Sequence, residues 1–186
     1  MARVRAGKRA VLMVVDVQVG VINQNFNGPD VIATIAGLVE RARAQGVPVI
    51  WVQHDDEELI RGTPEWQWVP ELQPVAGDIR IYKHYNSGFE ETPLESELAA
   101  LGATHIVLAG AVTNWCIRAT AYGALTLGYD LTLAADAHWA HDLEFEDGYR
   151  IPAESLVRDL NLAVQYLGYP GCRNAAVPAD KIDFAG

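Results

Sequence analysis

Apolar runs broken by short polar stretches divide the chain into its elements. Ala10 to Val15 is continuously apolar and stops at Asp16, the pattern of a strand buried on both faces. Gln18, Gly20, Asn23, Asn25, Asn27, Gly28 and Pro29 follow as loop chemistry, and Asp30 stands where a helix cap belongs. Behind it Val31, Ile35, Leu38, Val39 and Ala42 recur at the helical period until Gln45-Gly46. Pro48 to Val52 is a second apolar run. Strand, helix and strand in this order predict a right-handed parallel crossover unit.

From Gln53 to Asp78 the periodicity lapses. His54-Asp55-Asp56-Glu57-Glu58 reads as a solvated acidic loop, and Trp66 and Trp68 lie in a segment without clear period. A connection of this length is often functional. Its tryptophans either pack on the domain or call for a ligand or a subunit to cover them. Asp78 to Tyr82 is a third strand with Lys83 at its end. Thr92-Pro93-Leu94-Glu95 is a capping-box sequence that starts a helix ending at Leu101-Gly102. His105 to Ala109 is a fourth strand, and a helix carrying Cys116 runs on to Leu127-Gly128. Asp130 to Ala135 is a fifth strand, Pro152 opens a last helix, and Ala175 to Val177 suits an edge strand. The alternation predicts an α/β fold, a three-layer α/β/α arrangement with a mostly parallel central sheet, as a single domain over residues 1–186.

Composition narrows the function classes. Half of the 186 residues are apolar and the net charge is −10, which argues against nucleic acid or an anionic membrane as partner. The basic start is followed by an apolar run that Asp16 interrupts, too short for a signal peptide or a membrane span. The two cysteines, Cys116 and Cys172, are far apart in sequence and fit no disulfide framework. They suit a reducing, cytoplasmic setting.

The candidate chemistry gathers at strand ends. Cys116 is expected in the first turn of a helix, where free N–H groups and the helix dipole lower a thiol pKa and can hold an oxyanion. The same position also suits a small buried residue on an alanine-rich helix. Asp16 ends the first strand and Lys83 the third, and ligands of open parallel sheets bind at the carboxyl ends of strands. Singly, Asp16 fits a loop-capping role and Lys83 a solvated one. Together the three supply a nucleophile, a proton acceptor and a cation.

Val14-Val15-Asp16-Val17-Gln18, Lys83 with Ser87-Gly88-Phe89 and Thr92-Pro93-Leu94, Gly110-Ala111-Val112-Thr113-Asn114-Trp115-Cys116, Ala119-Thr120-Ala121 and Asp136-Ala137 carry a joint resemblance. With them the chain, from about Ala10 to Gly168, resembles the isochorismatase-like cysteine hydrolases. That superfamily includes nicotinamidases, carbamoylsarcosine and ureide amidohydrolases, and isochorismatases. The resemblance implies a hydrolase with an Asp16, Lys83 and Cys116 catalytic triad. It also implies a cis peptide at Ala111–Val112 and an oxyanion hole from the N–H groups of Val112 and Cys116. Asp16 would take the thiol proton, the thiolate would attack an amide-type carbonyl, and a Cys116 thioester would then be hydrolysed.

Departures from relatives sharpen the expectation. Where nicotinamidases carry an Asp-x-His metal motif this chain reads His54-Asp55-Asp56, so no metal and no other cofactor is expected. His138-x-x-His141 is a zinc pair only if helical, and His105 reads as structural. Isochorismatases proper cleave a vinyl ether, some without the cysteine; Cys116 favours C–N cleavage of a small amide, ureide or lactam. An ether hydrolase using Asp16 as general acid and a non-catalytic binding module of the same fold are the alternatives. Gln18, Tyr85, Trp115, His138 and Trp139 are expected to bind substrate, with Trp66 or Trp68 reaching in. The resemblance also implies a homo-oligomer, a dimer or tetramer.

Overall fold

The computed structural model describes residues 2–22 and 28–185. The asparagines Asn23, Asn25 and Asn27 expected in the first loop lie outside the described residues. The chain runs through β1 (Arg9–Val15), α1 (Gly28–Ala44), β2 (Val49–His54), β3 (Ile79–Lys83), α2 (Leu94–Ala100) and β4 (Ala103–Ala111). A π-turn over Thr113–Ile117 leads into α3 (Arg118–Leu127) and β5 (Asp130–Trp139). The short β6 (Leu143–Glu144) and β7 (Arg150–Ile151), then α4 (Ala153–Tyr166) and β8 (Asn174–Val177), complete the order.

Six strands form one sheet in the order β3-β2-β1-β4-β5-β8, every pairing parallel. In β1 alternate residues serve opposite faces. Leu12 and Val14 pack with Ile35, Leu38 and Val39 of α1, while Val11, Met13 and Val15 pack with Leu98 of α2, Leu125 of α3 and Leu160 of α4. Both faces are therefore covered by helices, and this is why the strand reads as an unbroken apolar run. Strand order reverses between β1 and β4, which creates the topological switch point where open parallel sheets bind ligands.

Several local expectations change. The helix α1 begins at Gly28, which puts Asp30 inside its first turn, where a carboxylate favours the dipole. The capping box at Thr92 forms only by half, since Thr92 Oγ1 accepts the Leu94 N–H at 3.3 Å while Glu95 makes no return bond. Glu95 turns away to accept from Arg5 at 2.9 Å and from the Tyr129 hydroxyl at 2.6 Å. The fifth strand runs on past Ala135 to Trp139, because its polar residues find partners within the chain. Asp136 accepts the Ala179 N–H at 2.7 Å, and His138 is bonded through both ring nitrogens. The loop tryptophans also pack on the chain itself. Trp68 meets Trp51 edge-on at 5.2 Å, and Trp66 stacks on Tyr82 at 5.9 Å. Among the described residues no helix is long and apolar enough to cross a membrane.

Candidate active site

The switch point sets the positions. Asp16 follows β1 directly, in a left-handed conformation at φ 52°, and its N–H donates to the Val52 carbonyl of the neighbouring strand at 2.8 Å. On the other side of the switch point β4 ends at Ala111, and a cis peptide joins Ala111 to Val112. The strands can approach because Gly110, opposite Val15 in register, carries no side chain. At its φ of +125° a Cβ would lie 2.0 Å from the Val15 carbonyl oxygen. Lys83 ends β3, two strands from β1. That separation is about 9.6 Å of sheet, and only a long side chain spans it.

The three residues meet. Lys83 Nζ lies 2.8 Å from Asp16 Oδ2, an ion pair whose orientation falls short of a directed hydrogen bond. The same ammonium donates to Cys116 Sγ at 3.2 Å. Asp16 and Lys83 are each 1% exposed and Cys116 9%, so the thiol is the member that a ligand can reach first. Asp16 Oδ1 has no hydrogen-bond partner among the described residues, which leaves it free to accept a proton.

Electrostatics differ from the sequence expectation at the thiol. Burial, reinforced by the Asp16 charge and opposed by Lys83, pushes the Cys116 thiol up to about 12. The expected lowered pKa does not arise, because burial and the neighbouring Asp16 charge outweigh Lys83 and the start of the helix. Burial also raises the Asp16 carboxyl above the usual range, against the pull of Lys83. Burial works against the Lys83 ammonium, but the Asp16 and Cys116 charges outweigh it and hold its pKa above the ordinary lysine value. With Asp16 ionised, the cluster at rest is thiol, carboxylate and ammonium.

The turn that carries Cys116 is anchored from behind. Trp115 and Ile117 donate their N–H groups to the Val112 carbonyl at 3.1 and 3.2 Å. Thr113 Oγ1 lies 2.9 Å from His138 Nδ1, and His138 Nε2 lies 3.0 Å from Asn161 Oδ1. Asn161 in turn donates to the Ala135 carbonyl at 2.9 Å, so its oxygen faces His138. Burial pushes His138 down to about 4, keeping it neutral. The Ser87-Gly88-Phe89 motif fastens the segment after Lys83 to α3, with the Gly88 N–H donating to Thr120 Oγ1 at 2.9 Å.

Of the residues expected to meet substrate, Trp115 and Tyr85 are exposed, at 54% and 46%. Trp139 is buried, and Gln18 is buried with its amide spent on the chain. It donates to the carbonyls of His54 and Trp66, both at 2.9 Å, and accepts the His54 N–H at 2.9 Å. His138 and His141 do not share a helix face, since His138 belongs to β5. Among the described residues no group of three or more His, Cys, Asp or Glu is placed to hold a metal ion. Sequence reasoning passed over His54 as a neighbour of Lys83. The signal was present, because the two end adjacent parallel strands in register.

An isochorismatase domain model matches residues 10–149. The chain belongs to the isochorismatase family. An isochorismatase from Pseudomonas putida KT2440 has a similar structure, with a TM-score of 0.84 at 27% identity, covering 95% of this chain and 91% of that one. The N-carbamoylsarcosine amidase of Thermoplasma acidophilum superposes with a TM-score of 0.74 at 25% identity, covering 94% of this chain and 99% of the other. In sequence, a streptothricin hydrolase of Streptomyces noursei is 32% identical over 143 residues, 74% of this chain and 57% of the relative. A ureidoacrylate amidohydrolase of Enterobacter sp. (strain 638) is 30% identical over 174 residues, 71% of this chain and 76% of that protein. The chain thus spans little more than half the length of the streptothricin hydrolase.

Proposed function

We propose that this protein is a cysteine hydrolase that cleaves a C–N bond, amide, ureide or lactam, of a small molecule through a Cys116 thioester. The observation that carries the reading is the buried Lys83 ammonium, 2.8 Å from Asp16 and 3.2 Å from Cys116. A thiol, a base and a cation brought together from three strand ends have a chemical use that none has alone. Two relatives are named for amide chemistry, an amidohydrolase and an amidase.

On this reading Asp16 takes the Cys116 proton as sulfur attacks the carbonyl. The oxyanion forms against the N–H groups of Val112 and Cys116. The two backbone bonds that close the turn come from Trp115 and Ile117 and use neither of those donors. Asp16 then protonates the leaving nitrogen and, in the second half-reaction, takes a proton from the water that opens the thioester. Lys83 balances whichever anion is present. Trp115 and Tyr85, exposed beside the thiol and after Lys83, are placed to contact substrate. Gln18, His138 and Trp139 act from inside, Gln18 by clasping the end of β2 and His138 by holding Thr113. The reading carries with it a cytoplasmic setting, homo-oligomeric assembly and no nucleic-acid or membrane partner.

The test is a panel of amides, ureides and lactams screened for amine or ammonia release, with the intact mass of the protein followed during turnover. We expect an acyl adduct on Cys116 and no turnover in Cys116→Ala, which remains folded because small replaces small. Turnover in Cys116→Ala would refute the nucleophile.

A further inference from the structure

Lys83 has a third neighbour that the hydrolytic scheme does not use. His54 Nδ1 lies 3.3 Å from Lys83 Nζ, on the strand between β3 and β1. An ammonium has three donors and no acceptor. Asp16 at 2.8 Å as its ion-pair partner, with Cys116 at 3.2 Å and His54 at 3.3 Å as hydrogen-bond acceptors, therefore surround it on three sides. This arrangement decides the state of the imidazole. Lys83 can only donate, so Nδ1 is unprotonated and the ring hydrogen sits on Nε2. Nε2 lies 3.0 Å from Asp56 Oδ2, which accepts that hydrogen. Asp56 is itself held, since its Oδ1 accepts the N–H groups of Glu58 at 2.9 Å and Leu59 at 2.7 Å. Those bonds to backbone N–H, above all from Leu59, keep its carboxyl below the usual range. Gln18 fixes the backbone of His54 on both sides, accepting its N–H and donating to its carbonyl.

We propose that His54, oriented by Asp56, is a positioning residue that holds the Lys83 ammonium between Asp16 and Cys116. Removing the Nδ1 acceptor leaves a buried ammonium with an unmatched donor, free to turn from the sulfur. The first turn of the 55–78 loop thus supplies the carboxylate that selects the histidine tautomer. The inference rests on the reading of Cys116 as a reactive thiol, but not on which bond the enzyme cleaves.

Isosteres give the test. From Cβ, the Oδ1 of asparagine lies at the position of histidine Nδ1, and the Oε1 of glutamine near that of Nε2. His54→Asn can therefore still accept from Lys83, whereas His54→Gln and His54→Leu cannot. Iodoacetamide alkylation of Cys116, read on its peptide by mass spectrometry at fixed pH, reports the field of Lys83 at the sulfur without requiring a substrate. One lost charge-assisted hydrogen bond corresponds to about a tenfold slower reaction. We expect that loss in His54→Gln and His54→Leu, with recovery to within about threefold of wild type in His54→Asn. Once a substrate is in hand the loss should fall on kcat rather than KM. Equal alkylation of wild type and His54→Leu, or equal slowing in His54→Asn and His54→Gln, overturns the proposal. Turnover in Cys116→Ala would instead overturn the assignment of Cys116 as nucleophile and leave the alkylation result standing.

Discussion

Lys83→Met removes the charge at the centre of the cluster and keeps an apolar stem of similar length. The first consequence is energetic. At 2.8 Å and an effective dielectric of about 20, the attraction lost with Asp16 is about 6 kcal/mol. Stripping one partner from a buried pair typically costs about 3–5 kcal/mol. The carboxyl can escape this cost by taking a proton. Burial already raises the Asp16 pKa while Lys83 pulls it down, so without Lys83 it rises further. A carboxyl whose folded pKa exceeds its unfolded value contributes stability below the unfolded pKa, and that contribution is lost as pH rises toward the folded pKa.

The variant should therefore lie near wild type at pH 5 and fall behind toward pH 8. The gap opens by about 1.4 kcal/mol per pH unit while Asp16 is protonated in the variant's fold and ionised in wild type and in the unfolded chain. Urea unfolding followed by tryptophan fluorescence at pH 5, 6.5 and 8 measures the gap. A protonated Asp16 cannot receive the thiol proton, so turnover at neutral pH should fall about 10²–10⁴-fold. A destabilisation that stays constant from pH 5 to 8 would refute the coupling of Asp16 to Lys83.

Gly110→Ala should abolish activity and destabilise the fold by several kcal/mol, about 3 or more, because its Cβ would strike the Val15 carbonyl; thermal melting and turnover measure this. Because burial lowers His138 to about 4, wild type should lose about 3 kcal/mol of stability between pH 6.5 and pH 4. That loss should be absent in His138→Gln unfolded by urea over the same range. Asp16→Asn should lose about 10²–10⁴-fold or more in turnover, together with the acid limb of the pH–rate profile that Asp16 ionisation produces in wild type. Activity and an unchanged acid limb in that variant would make Asp16 structural.

The periodicity of the apolar runs made the sheet legible, because a parallel strand covered on both faces has no polar side to confuse it. Asp16, Lys83 and Cys116 were legible for a related reason, each being the polar residue that ends or follows an apolar run. What the local pattern hid depended on distant partners. The fifth strand reads only to Ala135 because Asp136 and His138 are polar, and only the tertiary fold brings Ala179, Thr113 and Asn161 to satisfy them. Glu95 looked like a helix cap until Arg5 and Tyr129 claimed it. His54 looked like part of a solvated acidic run, although strand register alone sets it beside Lys83. The thiol pKa was misjudged on local grounds, since burial and the Asp16 charge act across the fold.

The high thiol pKa is compatible with nucleophilic attack once the cluster is treated as one unit. A value of about 12 describes losing the proton to water while Asp16 remains ionised. That leaves two buried anions against one ammonium, and burial penalises the uncompensated charge. Passing the same proton to Asp16 is a different process. Thiol with carboxylate and thiolate with carboxylic acid each hold one anion beside Lys83, so the cluster stays neutral and both states share most of the desolvation cost. Burial raises both acids, and the single cation favours whichever is ionised. The exchange is therefore internal, and bulk pH governs it mainly through the ionisation of Asp16. A resting thiol also reacts slowly with oxidants, which attack the thiolate. The proposed nucleophile would then be exposed as an anion mainly when a carbonyl is present to receive it.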